Sequence, residues 1–226
     1  MDPLVSLAAA SSALLGTHFA LSHPLRAPLV RAMGGGPFLG FYSLVAAACM
    51  VWMVFAFRAS PAADLGGASG EAGWVVSTIL TLPALALFLG SLSKNPALPN
   101  PGAAASVTRE PSGVFAVTRH PMMWGFALWA LSHLVLWWSW RTTIVAVAIL
   151  LLALVGAHLQ DRKKEALMST AWTEWEARTS YWPRWGRLAE AGLLLWLAAL
   201  AAWLLVTWLH IPAGGAPAGV WRWVGF

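Results

Sequence analysis

The strongest constraint on the fold is a series of six apolar runs, each near the length that lets a helix cross a membrane. They cover about residues 4–21, 38–57, 74–92, 122–138, 142–159 and 188–210, and a crossing helix needs ~20 residues. Their apolar residues are continuous, whereas those of membrane β-barrel strands alternate. Because a helix pairs its backbone polar groups within one segment, the runs predict an all-α fold, a polytopic membrane helical bundle of about six transmembrane helices.

The composition supports a membrane location. Hydrophobic residues make up 59% of the chain and charged residues 10%, which leaves too few polar residues to cover a soluble globule of this size. The first run begins with Asp2 rather than a basic cluster and is long for a signal peptide, so we expect it to stay in the mature protein. The single cysteine, Cys49, has no second cysteine with which to form an intramolecular disulfide.

The distribution of basic residues predicts an orientation. Of the fourteen Lys and Arg residues, all but Arg58, Arg141 and Arg222 fall on one predicted side of the membrane. The positive-inside rule makes that side cytoplasmic and puts both termini on the outside. The net charge of +5 is then explained by topology and by attraction to anionic membrane lipid. A basic stripe with interleaved aromatics, as in nucleic-acid-binding proteins, is not seen.

The segments between the runs have distinct compositions. Residues 94–111 are rich in proline, glycine and alanine, which predicts an irregular segment over the bundle that acts as a lid. Residues 160–187 predict an amphipathic helix at the headgroup boundary of the membrane, on the cytoplasmic side. Its apolar face consists of Leu167, Met168, Ala171, Trp172 and Trp175, with Trp182 and Trp185 following. The glycine- and proline-rich tail, residues 211–226, contains WRW and predicts an interfacial anchor.

Two histidines lie inside predicted spans, where an ionisable side chain is costly and usually marks function. His18, in the first span, shares a helical stripe with Ser11 and Ser22. His133, in the fourth span, shares a face with Trp129. A neutral imidazole can bind haem iron without bringing charge into lipid, and flat aromatic side chains suit a macrocycle. Either histidine would equally serve as a hydrogen-bonded link between helices, so both interpretations stay open from these residues.

The predicted depths limit which histidines could share one iron. His18 lies about four residues from the inner edge of its span and His133 about eleven, a difference of ~10 Å at the helical rise. A His18–His133 pair therefore needs helix tilt or different span edges. His158, near the inner end of the fifth span, is closer in depth to His18 and is the substitute ligand. His120 begins the helix that carries His133 and lies too far from it to share its iron.

Five segments carry a resemblance to a known family. They are GTHFALSHPLRAPLV (16–30), FLGFYSLVA (38–46), GVFAVTRHPMMWGFALWALSH (113–133), GAHLQDRKKEAL (156–167) and WEARTSYWP (175–183). The chain resembles the NnrU family of bacterial inner-membrane proteins, named for an association with nitrite and nitric oxide reduction, and its plant relative, zeta-carotene isomerase. The resemblance implies an NnrU-like membrane domain at residues 4–183, an additional C-terminal span at 188–210 and the interfacial tail at 211–226.

The resemblance also implies a cofactor. In the isomerase, haem b is held by a histidine of the first span and one of the fourth, which by motif position correspond to His18 and His133. Trp129, Arg119 and His120 are further candidate cofactor-binding residues. The isomerase has a ligand-switching cysteine three residues before the second histidine, where this sequence has Ala130. The expected protein is therefore a multi-pass bacterial inner-membrane haem protein that uses redox, isomerase or denitrification chemistry on a hydrophobic substrate or with a respiratory partner.

A second resemblance gives an alternative function. The motif RHP at a helix start, followed by an acidic-basic helix and an aromatic, threonine and proline ending, resembles isoprenylcysteine carboxyl methyltransferases and bacterial phospholipid methyltransferases. It implies S-adenosylmethionine at the inner loops, with candidates Arg119, His120, Glu165 and Arg178. Met123 and Trp124 replace that family's tyrosine, and Lys164 replaces one of its paired glutamates. If these residues bind no cofactor, we expect Arg119 to contact lipid phosphate. A third candidate function is that of a non-catalytic partner of respiratory enzymes.

Overall fold

The computed structural model describes residues 1–98, 103–214 and 216–224. The chain divides into two compact units, which are described separately: Met1–Ala68 with Trp137–Leu152, and Ser69–Leu136 with Ala153–Phe226. The helix α8 (Trp140–Met168) contributes its first part to unit 1 and its second part to unit 2. The described residues are predominantly α-helical with little strand, which confirms the predicted all-α polytopic fold.

Unit 1 is built on two long antiparallel helices. Its elements are α1 (Pro3–Ser22), α2 (Arg26–Met33), α3 (Gly35–Ala59), the short strands β1 (Gly67–Ala68) and β2 (Trp137–Trp138), and the first part of α8. The carboxylate of Asp2 accepts the backbone N–H groups of Leu4 and Val5 and so caps α1. The core consists of Leu7, Ala10 and Leu14 of α1 against Cys49, Met53 and Ala56 of α3, with Ile144 and Val145 of α8 packed beside it.

Unit 2 is built on the pair α4 and α7. Its elements are α4 (Glu71–Gly90), α5 (Ala103–Val107), α6 (Val114–Val117), α7 (Pro121–Leu136), the second part of α8, α9 (Thr170–Arg178), a 3-10 helix (Trp185–Ala191), α10 (Leu193–Gly214) and α11 (Trp221–Val224). The hydroxyl of Ser77 in α4 donates to the carbonyl of Ser132 in α7 at 2.6 Å. The indole N–H of Trp203 in α10 donates to Thr81 in α4 at 2.9 Å. Helix α4 is therefore joined by buried polar contacts to the helices on either side.

Among the described residues, five helices are long and apolar enough to cross a membrane: α1, α3, α4, α8 and α10. The fourth predicted span coincides with α7, which has 16 residues and is therefore ~24 Å long against ~30 Å for the hydrocarbon core. The helix ends where Trp137 and Trp138 form β2, which pairs antiparallel with β1. Pairing with a strand, rather than loss of hydrophobicity, shortens this run of helix.

The prediction for residues 160–187 was wrong about which surface the tryptophans cover. The spanning helix α8 continues through the charged DRKKE segment to Met168, and α9 follows after Ser169, whose φ is +47°. Trp172 and Trp175 are 0% and 3% exposed, so they pack inside the protein instead of lying in the headgroup layer. The reason is that both rings pack against other parts of the protein: Phe115 contacts Trp175 edge-on, and Lys164 lies over the Trp172 ring. Trp182 and Trp185 are exposed as predicted.

The other two connecting segments are held by specific contacts. The buried ammonium of Lys164 donates to the carbonyl of Pro96 at 2.6 Å, and Gln160 donates to the carbonyl of Ala97. These bonds fasten the start of the predicted lid to α8; its residues 99–102 lie outside the described residues. In the tail, Arg222 and Trp223 both bond the carboxylate of Glu71. The predicted anchor thus docks on the first turn of α4.

Helix α7 packs tightly against the backbone of α4 at Gly125, and this contact gives a test of the packing. A Cβ added to Gly125 would lie 2.7 Å from the carbonyl oxygen of Ala84 and 3.2 Å from the backbone nitrogen of Phe88. We expect Gly125→Ala to lower the free energy of unfolding by about 1–3 kcal/mol through overpacking. The matched control is Gly40→Ala in α3, where the added methyl meets nothing within 4 Å. Unfolding in detergent that gives equal stabilities for both variants would contradict this.

Candidate functional site

The RHP motif (residues 119–121) is held by backbone pairing to the TSYWP segment (residues 179–183). The backbone N–H of Arg119 donates to the carbonyl of Ser180 at 2.8 Å, and the hydroxyl of Thr118 lies 2.8 Å from the carbonyl of Tyr181. The indole N–H of Trp124, one turn into α7, donates to that same Tyr181 carbonyl. Two motifs about sixty residues apart in sequence therefore form one continuous surface in unit 2.

A buried carboxylate, Asp161 of α8, joins the side chains of this motif. The guanidinium of Arg119 donates to both carboxylate oxygens, with the shortest distance 2.7 Å. The Nε2 atom of His120 lies 2.7 Å from the other side of the same carboxylate. Side-chain exposures are 0% for His120, 2% for Asp161 and 13% for Arg119. A two-pronged Arg–carboxylate contact at this depth fixes both position and orientation.

A second carboxylate completes the cluster. Glu176 of α9 lies 3.3 Å from the guanidinium of Arg119 and is 20% exposed. Burial raises the pKa of Glu176 above its usual value, and the negative charge of Asp161 raises it further, while Arg119 opposes them. A hydrogen bond with Glu165 also favours the protonated form. One cation therefore faces two carboxylates of which one resists ionisation.

Four polar atoms around this cluster are buried and have no hydrogen-bond partner among the described residues. They are His120 Nδ1, Trp172 Nε1, Trp175 Nε1 and Glu176 Oε1. Glu176 Oε1 still interacts with Arg119 electrostatically, because the 3.3 Å separation meets the distance for an ion pair without the geometry of a hydrogen bond. Unpartnered buried polar atoms are uncommon in folded proteins and concentrate where a ligand or water binds.

A cavity of about 350 Å3 opens next to the cluster in unit 2. It lies where α4 ends and α10 begins, and α6 and α9 form its other walls. Trp175 belongs both to the cavity wall and to the set of unpartnered buried atoms. Arg178 sits behind the wall and donates to the backbone carbonyls of Val107 and Arg109, at 2.6 and 3.0 Å. We call this the basic cavity, because Lys94 and Arg109 are its cationic wall residues.

His18 lies in unit 1, in a polar group with Tyr42 and Ser22. The hydroxyl oxygen of Tyr42 is 2.8 Å from Nδ1 and 2.6 Å from Nε2 of His18, and 3.2 Å from the hydroxyl of Ser22. The predicted stripe with Ser22 is therefore present, and Tyr42 of α3 is the residue that the sequence did not reveal. The tyrosine hydroxyl can bond one ring nitrogen and leaves the other for a different partner.

His133 lies in the last turn of α7 in unit 2. Its Nδ1 is 2.8 Å from the carbonyl oxygen of Trp129, and the two rings stack with centroids 4.3 Å apart. Because a carbonyl only accepts, Nδ1 carries the hydrogen, and the neutral ring has its lone pair on Nε2. His210 in α10 makes the equivalent bond to Val206. The predicted substitute ligand, His158, is exposed on α8.

Within unit 2, the structure places the methyltransferase candidates close to the buried carboxylates and to the wall of the basic cavity. Arg119, His120 and Glu165 are neighbours of Asp161 and Glu176, while Arg178 closes the wall of the basic cavity. The expectation that Arg119 meets lipid phosphate is wrong, because Asp161 and Glu176 bind its guanidinium. Sequence reasoning missed Asp161, Glu176 and Tyr181. The available signal for Asp161 was an acidic residue at the end of an apolar span, where a charge requires a partner.

A polytopic helical membrane protein with a buried Arg–Asp–His cluster at the end of its spans is the class that this fold and site define. The chain belongs to the NnrU protein family, whose sequence pattern matches residues 6–218. The match runs through α10 and so includes the last long helix. No curated protein and no solved structure matches the sequence.

Removing the shared carboxylate tests whether the cluster holds the site together. Asp161→Ala leaves the Arg119 guanidinium and the His120 ring buried without their anion, so we expect the free energy of unfolding to fall by about 3–5 kcal/mol. The control is Glu190→Ala, which breaks the exposed pair with Arg187 and should leave stability unchanged. Thermal unfolding in detergent measures both. Equal losses of stability in the two variants would show that the buried cluster contributes no more than the exposed ion pair.

The raised pKa of Glu176 predicts a pH dependence. A carboxyl whose pKa is higher in the folded protein than in the unfolded chain stabilises the fold at low pH, and this contribution is lost as pH rises through the folded pKa. Glu176→Gln cannot ionise, so we expect it to gain stability relative to the natural protein from about pH 4 to about pH 8. Unfolding temperatures across that range provide the measurement. If the variant instead becomes less stable than the natural protein as pH rises, the ion pair between Glu176 and Arg119 dominates the effect.

Proposed function

We propose that this NnrU-family protein binds haem b, with His133 and His18 as the candidate iron ligands, and takes part in redox, isomerase or nitrite and nitric oxide reduction chemistry in the bacterial inner membrane. The observation that carries the proposal is the orientation of His133. Its Nδ1–H is fixed by the Trp129 carbonyl, which directs the lone pair to Nε2. Histidines that bind metals characteristically donate their other ring N–H to such an acceptor.

His18 supports the proposal by the same chemistry. One ring nitrogen bonds the hydroxyl of Tyr42, and a second partner, Ser22, bonds that hydroxyl in turn. This chain of bonds orients the ring, as hydrogen bonds do for histidines that bind metals. Each histidine alone thus has the donor chemistry of a haem ligand.

The haem would supply the electron-transfer or bond-activating step, and the protein would determine its properties through ligand identity, hydrogen bonding and burial. Trp129 offers a flat aromatic face directly against the His133 ring. Ala130 in place of cysteine leaves histidine as the proposed ligand in both oxidation states. A neutral imidazole is the form that can bind iron without bringing charge into the span.

The absorption spectrum of the purified protein is the direct test. We expect a Soret band and a pyridine haemochrome spectrum of haem b. Most of that band should be lost in His133→Ala and in His18→Ala, because each variant removes a proposed iron ligand. His210→Ala is the matched control, since it removes a histidine with the same hydrogen bond to the fourth residue before it. His158→Ala tests the substitute ligand and should leave the band intact.

Several outcomes would contradict the haem proposal. A protein that stays colourless after expression with haem precursors and after addition of haemin has no such site. A full Soret band in both His133→Ala and His18→Ala would show that the haem binds at another site. Colourless protein that copurifies with a larger oxidoreductase would instead favour a non-catalytic partner of respiratory enzymes, in which the histidines link helices.

Methyl transfer from S-adenosylmethionine is the second candidate function. What favours it is that Arg119, His120, Glu165 and Arg178 all belong to unit 2, which also contains a cavity of about 350 Å3. Against it, Asp161 already occupies the Arg119 and His120 donors that would bind the cofactor's carboxylate. Isothermal titration with S-adenosylmethionine separates the two candidates. Glu165→Ala is the informative variant, because Glu165 is half-buried and its loss spares the Asp161 pairs.

A further inference from the structure

The basic cavity lies at the level where the membrane meets water. Leu89 and Gly90 are the last residues of α4, Leu195 belongs to the first turn of α10, and all three line the cavity. Both helices are long and apolar enough to span a bilayer. The ends of spanning helices lie at the boundary of the hydrocarbon core, so the cavity opens among lipid headgroups.

Its rim is cationic and rich in hydroxyls. Lys94 and Arg109 are exposed residues of the wall, joined by Ser93 and Ser112. The one acidic wall residue is Glu110, whose carboxylate lies 3.5 Å from Arg178. Because Arg178 offsets the charge of Glu110, the rim has a net positive charge that suits an anion.

Its floor is apolar and contains a donor in need of an acceptor. Val114, Phe115 and Trp175 are buried there, and Leu89 and Leu195 continue the apolar wall toward the spans. Trp175 is 3% exposed, and its indole N–H has no partner among the described residues. A buried N–H without an acceptor costs about 1–3 kcal/mol, and a ligand oxygen would remove that cost.

We propose that the basic cavity binds an anionic phospholipid, with the phosphate between Lys94 and Arg109 and one acyl chain along Leu89 and Leu195. The ammonium of Lys94 supplies a point charge, and the guanidinium of Arg109 can bond two phosphate oxygens. An ester oxygen of the lipid accepts the Trp175 N–H. A cavity with a cationic rim and an apolar floor fits an amphiphile better than a soluble ion, because an ion alone would contact only the rim.

Lipid binding here is independent of haem. His18 and His133 do not line the basic cavity, so loss of the Soret band and loss of lipid binding are separate results. The consequence for the protein is that lipid would stabilise the wall formed by α9 and the residues before α6. The RHP motif follows α6 and the TSYWP segment follows α9, so the lipid would act on the region around the buried cluster.

The test compares three probes on the purified full chain in detergent: phosphatidylglycerol, phosphatidylcholine and inorganic phosphate. Native mass spectrometry counts bound lipid, and thermal unfolding measures stabilisation. We expect phosphatidylglycerol to bind about tenfold or more tightly than phosphatidylcholine, since two basic residues contribute to its recognition. The double variant Lys94→Asn with Arg109→Gln should lose this preference. Asparagine is chosen because Lys94 has a φ of +56°, which asparagine tolerates.

The control variant removes the same charge elsewhere. Arg31→Gln with Arg162→Gln changes two exposed residues on the same predicted side of the membrane, neither of which lines the cavity, and should keep the preference. Equal binding of both lipids, or equal loss in both double variants, would overturn the proposal. Stabilisation by inorganic phosphate alone that matches phosphatidylglycerol would identify a soluble phosphate ligand and refute the lipid. Unchanged unfolding in phosphatidylcholine shows that the Lys94 and Arg109 variant is folded.

Discussion

One buried carboxylate, Asp161, holds distant segments of unit 2 together. It is the anion for both Arg119 and His120, which arrive from the start of a helix some forty residues earlier in the sequence. Charges at this depth are stable only when they are paired, and the loss of one partner leaves the others exposed to the full cost of desolvation. The RHP motif, the charged end of α8 and the TSYWP segment therefore have to come together for the chain to fold.

This cluster explains the shape of the surrounding structure. With Arg119 held by Asp161 and by the Ser180 carbonyl, α9 is placed so that Trp172 and Trp175 face the protein instead of the membrane. The buried Trp175 ring forms part of the floor of the basic cavity, and Arg178 closes the wall by bonding the backbone carbonyls of Val107 and Arg109. The interactions that pair Arg119 with Asp161 and Glu176 thus also help to produce a site with a cationic rim and an apolar floor.

The histidines inside the spans find hydrogen-bond partners of a different kind. His133 and His210 each use a carbonyl four residues earlier to satisfy one ring nitrogen, while His18 relies on a tyrosine from another helix. His120, in contrast, needs a carboxylate because it is completely buried beside an arginine. The chain therefore contains both neutral imidazoles suited to ligation and an imidazole fixed in an ion-pair cluster, and these serve different parts of the protein.

The sequence alone determined that this is a helical membrane protein of the NnrU family, because apolar runs of spanning length have few folded solutions in lipid and the family segments are contiguous in the chain. It also identified Arg119 and His120 through the RHP motif, and the face shared by Trp129 and His133 through helical periodicity. Tertiary structure alone decided that Asp161 and Glu176 complete the cluster, that Tyr42 bonds His18, and that Trp175 faces a cavity. Each of these depends on contacts between distant segments, and neither local periodicity nor charge count specifies which partner a buried polar group will find.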